Sequence, residues 1–243
     1  MKINVFLPCR KGSERIPRKN IKPFGKLQFG LLENKLNQLL KVDLIDNIFV
    51  SSNDDEVLNY VKKLKSNKII LHKRDEHLSS SKTQTDELVM HACELIQEGE
   101  ILWTHVTSPF FNEVEYSKII KTYKDCLKNG YDSIMSVTKF QGFLCDQYGN
   151  FNYDRKKTKW PQTQNINPLF EINSAVFMAN INIYKTYKDR IGKKPYLYTV
   201  GKISGFDIDW NEDFKIAEIL YKKYRMENDV YNNYDDGNVA GND

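Results

Sequence analysis

I-N-V-F-L-P-C-R-K-G-S-E-R-I-P-R-K-N, residues 3–20, joins an apolar run to a loop holding five basic side chains, a Gly-Ser pair and a proline. Ile3–Leu7 reads as a buried strand. The loop after it concentrates positive charge away from any helix face. Gly12 and Ser13 permit a tight turn whose N–H groups can face an anion. Arg10, Arg15, Arg18 and Lys19 can supply charge-assisted bonds to phosphate oxygens, and Pro17 stiffens the loop. The pattern is neither a G-x-x-x-x-G-K-[ST] phosphate loop nor a G-x-G-x-x-G dinucleotide turn. A nucleotide or phosphate site is the chemical reading, and an incidentally basic surface turn is the plain alternative.

Outward from this loop, strand and helix signals alternate. Helices are expected over 29–42, 54–65 with Asn53 as cap, 83–97, and from Asn112 to about 127 with an Asn112/Glu115 capping box. Strands are expected over 47–52, 69–72, 101–106 and 132–138. This rhythm predicts an α/β fold, a doubly wound and mostly parallel sheet with helices on both faces. Ligands in such sheets bind outside the carboxyl ends of the strands, where loop 8–20 and segment 107–111 both lie. From Lys139 the texture changes. Tyr148-Gly149-Asn150 reads as a hairpin turn, a polar stretch follows over 155–168, and 139–172 reads as an insertion arm within a single domain of residues 1–226. Strands at 174–179 and 196–200 and helices at 183–190 and 211–225 complete it. Residues 227–243 lack periodicity and read as a loose, flexible tail.

The second constellation is G-F-D-I-D-W, residues 205–210. In an extended run Asp207 and Asp209 point to the same side. Two carboxylates held together repel, so a cation is expected between them, and Mg²⁺ suits because it favours one or two carboxylates plus phosphate oxygens. The plain alternative is an aspartate capping the following helix beside a surface acid. A basic loop together with an acid pair points to metal-assisted phosphoryl or nucleotidyl transfer.

Composition limits the other classes. The net charge of +4 is too small to argue for nucleic-acid binding. No apolar run approaches the ~20 residues of a membrane span, and no leader pattern opens the chain, so a cytoplasmic location is expected. Cys9, Cys93, Cys126 and Cys145 are scattered and suggest free thiols rather than a zinc site.

R-K-G-S-E-R-I-P-R-K-N-I-K, then V-S-S-N-D-D-E, T-S-P-F, S-V-T and D-I-D-W-N-E-D-F occur in that order over about residues 2–222. Together they resemble the bacterial acylneuraminate cytidylyltransferase family, which includes CMP-sialic acid synthetases and relatives that activate Kdo, legionaminic or pseudaminic acid. The resemblance implies use of CTP and Mg²⁺, release of pyrophosphate, a dimer-forming arm, a homodimer and a place in surface glycan assembly. It puts Arg10, Gly12, Ser13, Lys19 and Asn20 on the nucleotide loop. Arg74 matches a nucleotide-site arginine, and Ser81 and Thr83 occupy the next nucleotide-contacting stretch. Asp207 and Asp209 match the metal pair, and Asn173 a substrate-side asparagine. Arg10, Lys19 and Asp209 carry the expected catalytic role, with the two cations steadying the departing phosphates.

The departures fall on the acceptor side. Glu14 stands where many members have lysine, with Arg15 beside it. His105 replaces a substrate-side glutamine, and Phe111 replaces an arginine. Gln162 lies where an arginine is frequent, with Lys159 nearby. His105 is thus read as a substrate contact, an ordinary hydrogen-bonded histidine being the alternative. Either His105 or a metal-bound water is open as the base. A cytidylyltransferase for a different acceptor and a non-catalytic nucleotide-binding regulator stand as alternative functions.

Overall fold

The computed structural model describes residues 1–80 and 82–235, with side chains through residue 223. The opening run forms β1 (Ile3–Pro8), and its alternating side chains serve two cores. Val5 and Leu7 face one cluster while Phe6 faces the other. Helix α1 (Gly30–Leu40) lays Leu31, Leu32, Leu36 and Leu39 against the first cluster, all fully buried. Truncating any one of these to Ala removes about 2–5 kcal/mol.

The chain continues as β2 (Asn47–Ser52), α2 (Asp55–Lys63), β3 (Ile69–Lys73), α3 (Thr85–Leu95), β4 (Glu100–Thr104), α4 (Glu113–Lys128) and β5 (Ser133–Phe140). Then come β6 (Leu169–Asn180), α5 (Ile181–Tyr187), β7 (Pro195–Val200) and α6 (Asn211–Asp235). One seven-stranded sheet runs β3-β2-β1-β4-β6-β5-β7. Only β6 is antiparallel to its neighbours β4 and β5. The mostly parallel sheet expected from sequence is therefore present, with the carboxyl ends of β1, β4 and β7 at one edge.

Three local differences have physical causes. Asp54, not Asn53, caps α2 by accepting from Glu56 N–H; Asn53 instead accepts from Lys11 N–H at 2.8 Å and so fixes the basic loop. Asn112 caps α4 through Val114 and Glu115 N–H, but the Glu115 carboxylate pairs with Lys118 rather than closing the box. Helix α6 runs to Asp235, ten residues past its expected end and into the stretch read as a tail. No Gly or Pro interrupts residues 211–235, so nothing stops the helical ladder. Residues 236–243 lie outside the described residues.

The arm leaves and rejoins the sheet between β5 and β6, whose ladder pairs Phe140 with Leu169. Its expected hairpin is reduced to one bridge, Cys145 with Phe151. Among the described residues no helix is long and apolar enough to cross a membrane.

Candidate active site

Loop 8–20 is anchored by what it buries. Ile16 and Ile21 insert into the core, each almost fully buried. Asn20 donates to the Arg10 carbonyl at 3.0 Å and closes the loop on itself. Gly12 takes φ +80, a left-handed conformation that other residues adopt only with strain. The result is a cleft of about 320 Å³ lined by Arg10, Ser13, Glu14, Arg15, Lys19 and Asn20. Arg18 turns out of it and pairs with Glu56.

The second half of the site arrives from the far end of the chain. Gly205 lies so close to Asn173 and Thr138 that a Cβ there would meet their side chains at 2.7 and 2.4 Å. That close approach sets the segment carrying Asp207 and Asp209. Lys19 Nζ donates to the Ile208 carbonyl at 2.8 Å, between the two acids, and stands 4.0 Å from Asp209. Arg15 pairs with Asp209 at 3.3 Å and stacks over Trp210 at 4.8 Å. Asp213, in the first turn of α6, reaches back to accept from the N–H groups of Asp209 and Trp210.

The electrostatics follow from burial. Desolvation raises the Asp207 carboxyl above the usual range, with Asp209 adding to it and Thr107 and Lys19 opposing. Burial likewise lowers Lys19, against the attraction of Asp209 and Asp207. Ile208 N–H donates to the Thr107 carbonyl at 2.9 Å, so the segment after β4 supports the acid pair.

Arg74 is buried beneath the loop, where desolvation lowers its pKa. Its Nε donates to Ser79, while its Nη2 has no hydrogen-bond partner among the described residues. A buried guanidinium N–H without a partner is costly, and it fits a position that contacts a ligand. Thr83 donates to the His77 carbonyl just ahead of α3. Ser81 lies outside the described residues.

His105 follows β4 and is half-buried. Its Nε2 faces the indole N–H of Trp103 at 3.0 Å. Because that N–H can only donate, Nε2 is the acceptor and the imidazole proton sits on Nδ1. Burial, then Arg190, Lys19 and Lys35, push the pKa down to about 3. In this arrangement the ring is neutral, with its Nε2 lone pair facing the Trp103 N–H. Asn173 is buried, with its amide bonded to Ser136, Thr138 and Ala175 within a bulge of β6. Gln162 is exposed on the arm and accepts from Gln164; no described contact joins it to loop 8–20. Phe111 is fully buried against Tyr116.

Lys35 was not singled out by sequence. It is fully buried on α1, with Nζ donating to the carbonyls of Ser108 and Phe111 and to Tyr116 Oη. Burial draws its pKa down to about 7. The signal was a lysine four residues from both Leu31 and Leu39, on the apolar stripe.

A family model described as cytidylyltransferase matches residues 5–235. The chain belongs to the cytidylyltransferase family. A pseudaminic acid cytidylyltransferase of Campylobacter jejuni serotype O:2 is 25% identical over 237 residues, covering 91% of this chain and 97% of that protein. An N-acylneuraminate cytidylyltransferase of Escherichia coli O18:K1:H7 is 27% identical over 242 residues, covering 96% of this chain and 55% of that protein. A solved CMP:2-keto-3-deoxy-manno-octonic acid synthetase complexed with CTP is similar in fold, with a TM-score of 0.67 at 11% identity, covering 92% of this chain and all of that one. A 4-diphosphocytidyl-2C-methyl-D-erythritol synthase from Anaerococcus prevotii gives 0.61 at 15%, covering 91% and 96%. This cytidylyltransferase is accordingly a CTP-dependent nucleotidyltransferase, and its basic loop lies at the sheet edge where the fold binds ligands.

Proposed function

We propose that this cytidylyltransferase transfers CMP from CTP to a hydroxyl of an acidic sugar of the sialic, pseudaminic or Kdo-like kind, releasing pyrophosphate. The acceptor oxygen attacks the α-phosphorus, the bond to the β-phosphate oxygen breaks, and the hydroxyl proton passes to solvent. The observation that carries this reading is the Lys19 bridge from the basic loop to the Ile208 carbonyl between two aspartates. It ties the basic loop to the segment that carries the acid pair. The names of the curated relatives supply the acidic-sugar part.

Arg10, Lys19 and the N–H groups around Gly12 and Ser13 hold the β- and γ-phosphates and offset charge on the leaving pyrophosphate. Asn20 keeps the loop closed. Arg74 offers its Nη2 to the nucleotide, and Ser81 and Thr83 are assigned to nucleotide binding with it. Asp207 and Asp209 fit Mg²⁺, a cation that takes one or two carboxylates and completes its shell with phosphate oxygens and water. When bound, that ion would offset negative charge on the α-phosphate. Asp209, which pairs with Arg15 here, would hold it together with Asp207. His105, Asn173 and Gln162 belong to the acceptor side, the last as part of an arm that forms a homodimer. Work in the cytoplasm on surface glycan precursors completes the reading.

The test is pyrophosphate release with CTP and Mg²⁺ across sialic, legionaminic, pseudaminic and Kdo acceptors. Release with one acceptor, abolished by chelation, is expected. CTP binding without release for any acceptor would replace this reading with that of a nucleotide-binding regulator.

A further inference from the structure

We propose that Arg190, seated beside His105, binds the carboxylate of the acceptor sugar and sets the selectivity for acidic acceptors. This rests on the acidic-sugar reading above and names the group that recognises the acid. The sequence placed Arg190 at the end of a helix. In the structure α5 ends at Tyr187, Lys188 turns left-handed at φ 53, and Arg190 is carried across the sheet face to His105.

There its guanidinium stacks over Phe177 at 4.0 Å and Trp103 at 4.9 Å, side chains of paired positions on β6 and β4. The two rings fix its position and strip water from it. Its one side-chain hydrogen-bond contact among the described residues is a long one, Nη1 to His105 Nε2 at 3.5 Å, and it has no ion pair there. The adjacent Asp189 does not neutralise it by contact, because its carboxylate accepts from the N–H groups of Arg190 and Ile191. A partly buried guanidinium without an ion-pair contact is costly to keep, and desolvation lowers its pKa with Tyr184 and Asp189 offsetting only part of that.

His105 turns Nε2, an acceptor, toward both Trp103 and Arg190, so the ring helps to seat the guanidinium. Lys19 acts electrostatically on the same imidazole, so this pair and the phosphate-binding loop belong to one field. A planar guanidinium with no ion-pair contact is by itself a two-donor fork for a carboxylate. Two positions where the resemblance expects an arginine carry no charge here: Phe111 is buried and apolar, and Gln162 is uncharged.

The experiment measures steady-state kinetics of the full chain and of R190Q, R190K and H105Q, with CTP and Mg²⁺ and the acceptor that releases pyrophosphate. The same acceptor with its carboxylate converted to a carboxamide is the second probe. R190Q is expected to raise the acceptor KM roughly 10- to 100-fold, the worth of a charged hydrogen bond, with the CTP KM unchanged. The preference of the wild type for carboxylate over carboxamide should collapse in R190Q and be partly kept in R190K. A merely structural arginine would lower activity without moving that ratio. An unchanged acceptor KM, or an unchanged acid-to-amide preference, overturns the assignment while leaving the acidic-sugar reading intact. A wild type that neither turns over nor binds, by calorimetry, any acidic sugar overturns both.

Discussion

Loop 8–20 is tied to the rest of the molecule across long stretches of sequence, whereas residues 141–168 are tied mostly to themselves. The loop is held by Asn53 at Lys11, by the Ile208 carbonyl at Lys19 and by Asp209 at Arg15. The arm is held by local turns, with Asp146 accepting from Tyr148 and Asn150 and Asn152 donating to Gly142. It also stacks Arg155 between Phe151 and Trp160. Trp160 and Tyr148 remain 66% and 80% exposed, which suits a surface that meets a partner. Positioning charges within bonding distance of a phosphate requires bonds from distant elements; presenting an aromatic face does not.

The comparison breaks most readily at Asp209. Asp209→Asn should lower turnover at least about a hundredfold with an unchanged thermal midpoint, since the side chain is half exposed. Near-normal pyrophosphate release would remove the metal assignment. Next, Arg74→Ala should raise the CTP KM by roughly tenfold or more, because a charged donor is lost; equal CTP affinity by calorimetry would show that the Nη2 meets no nucleotide.

Lys35→Met tests the support beneath the acceptor edge. It leaves the carbonyls of Ser108 and Phe111 without their donor, and urea unfolding should report a loss of about 1–3 kcal/mol. An unchanged midpoint would mean that those carbonyls find other partners. A pH effect should come from His91, buried against Ser51. Burial first, and then His72 and Arg74, lower its pKa from 6.5 to about 4. The unfolded chain therefore binds more protons in that window, so stability is full above pH 6.5 and is lost as pH falls toward 4. Between pH 7 and pH 5 the loss should be on the order of 1–2 kcal/mol, and His91→Gln should flatten it in thermal melts.

The smallest kinetic effect is expected on the arm. Trp160→Ala should change the CTP KM by less than about twofold, as for other exposed positions, while shifting the mass in light scattering toward a monomer. A wild type already monomeric would remove the homodimer proposal.

Where residues act through local chemistry, the sequence was readable. The apolar run into a Gly-containing basic loop gave β1 and its cleft, and D-I-D gave the acid pair. The expected order of strands and helices through residue 138 matches the observed one. Positions set by tertiary approach were not readable. Asn53 looked like a cap because only the fold brings Lys11 to it. That the Asn173 amide is engaged by residues 35 and 37 positions upstream was likewise not visible in the sequence. Arg190 looked like the end of a helix because nothing local announces that Lys188 turns the chain. Lys35 was the missed opportunity, since a lysine on an otherwise apolar stripe is visible without any structure.

The antiparallel strand β6 has one more consequence. Because it runs backward beside β5, the arm begins and ends at adjacent, already paired positions, Phe140 and Leu169. Its span is therefore uncoupled from the register of the sheet. Doubling the length of a flexible loop between fixed ends costs only about 0.6 kcal/mol. Descendants of such a chain can lengthen, trim or exchange this segment and leave the nucleotide chemistry where it stands, which makes the β5–β6 junction the natural place for a new acceptor or a new partner to be acquired.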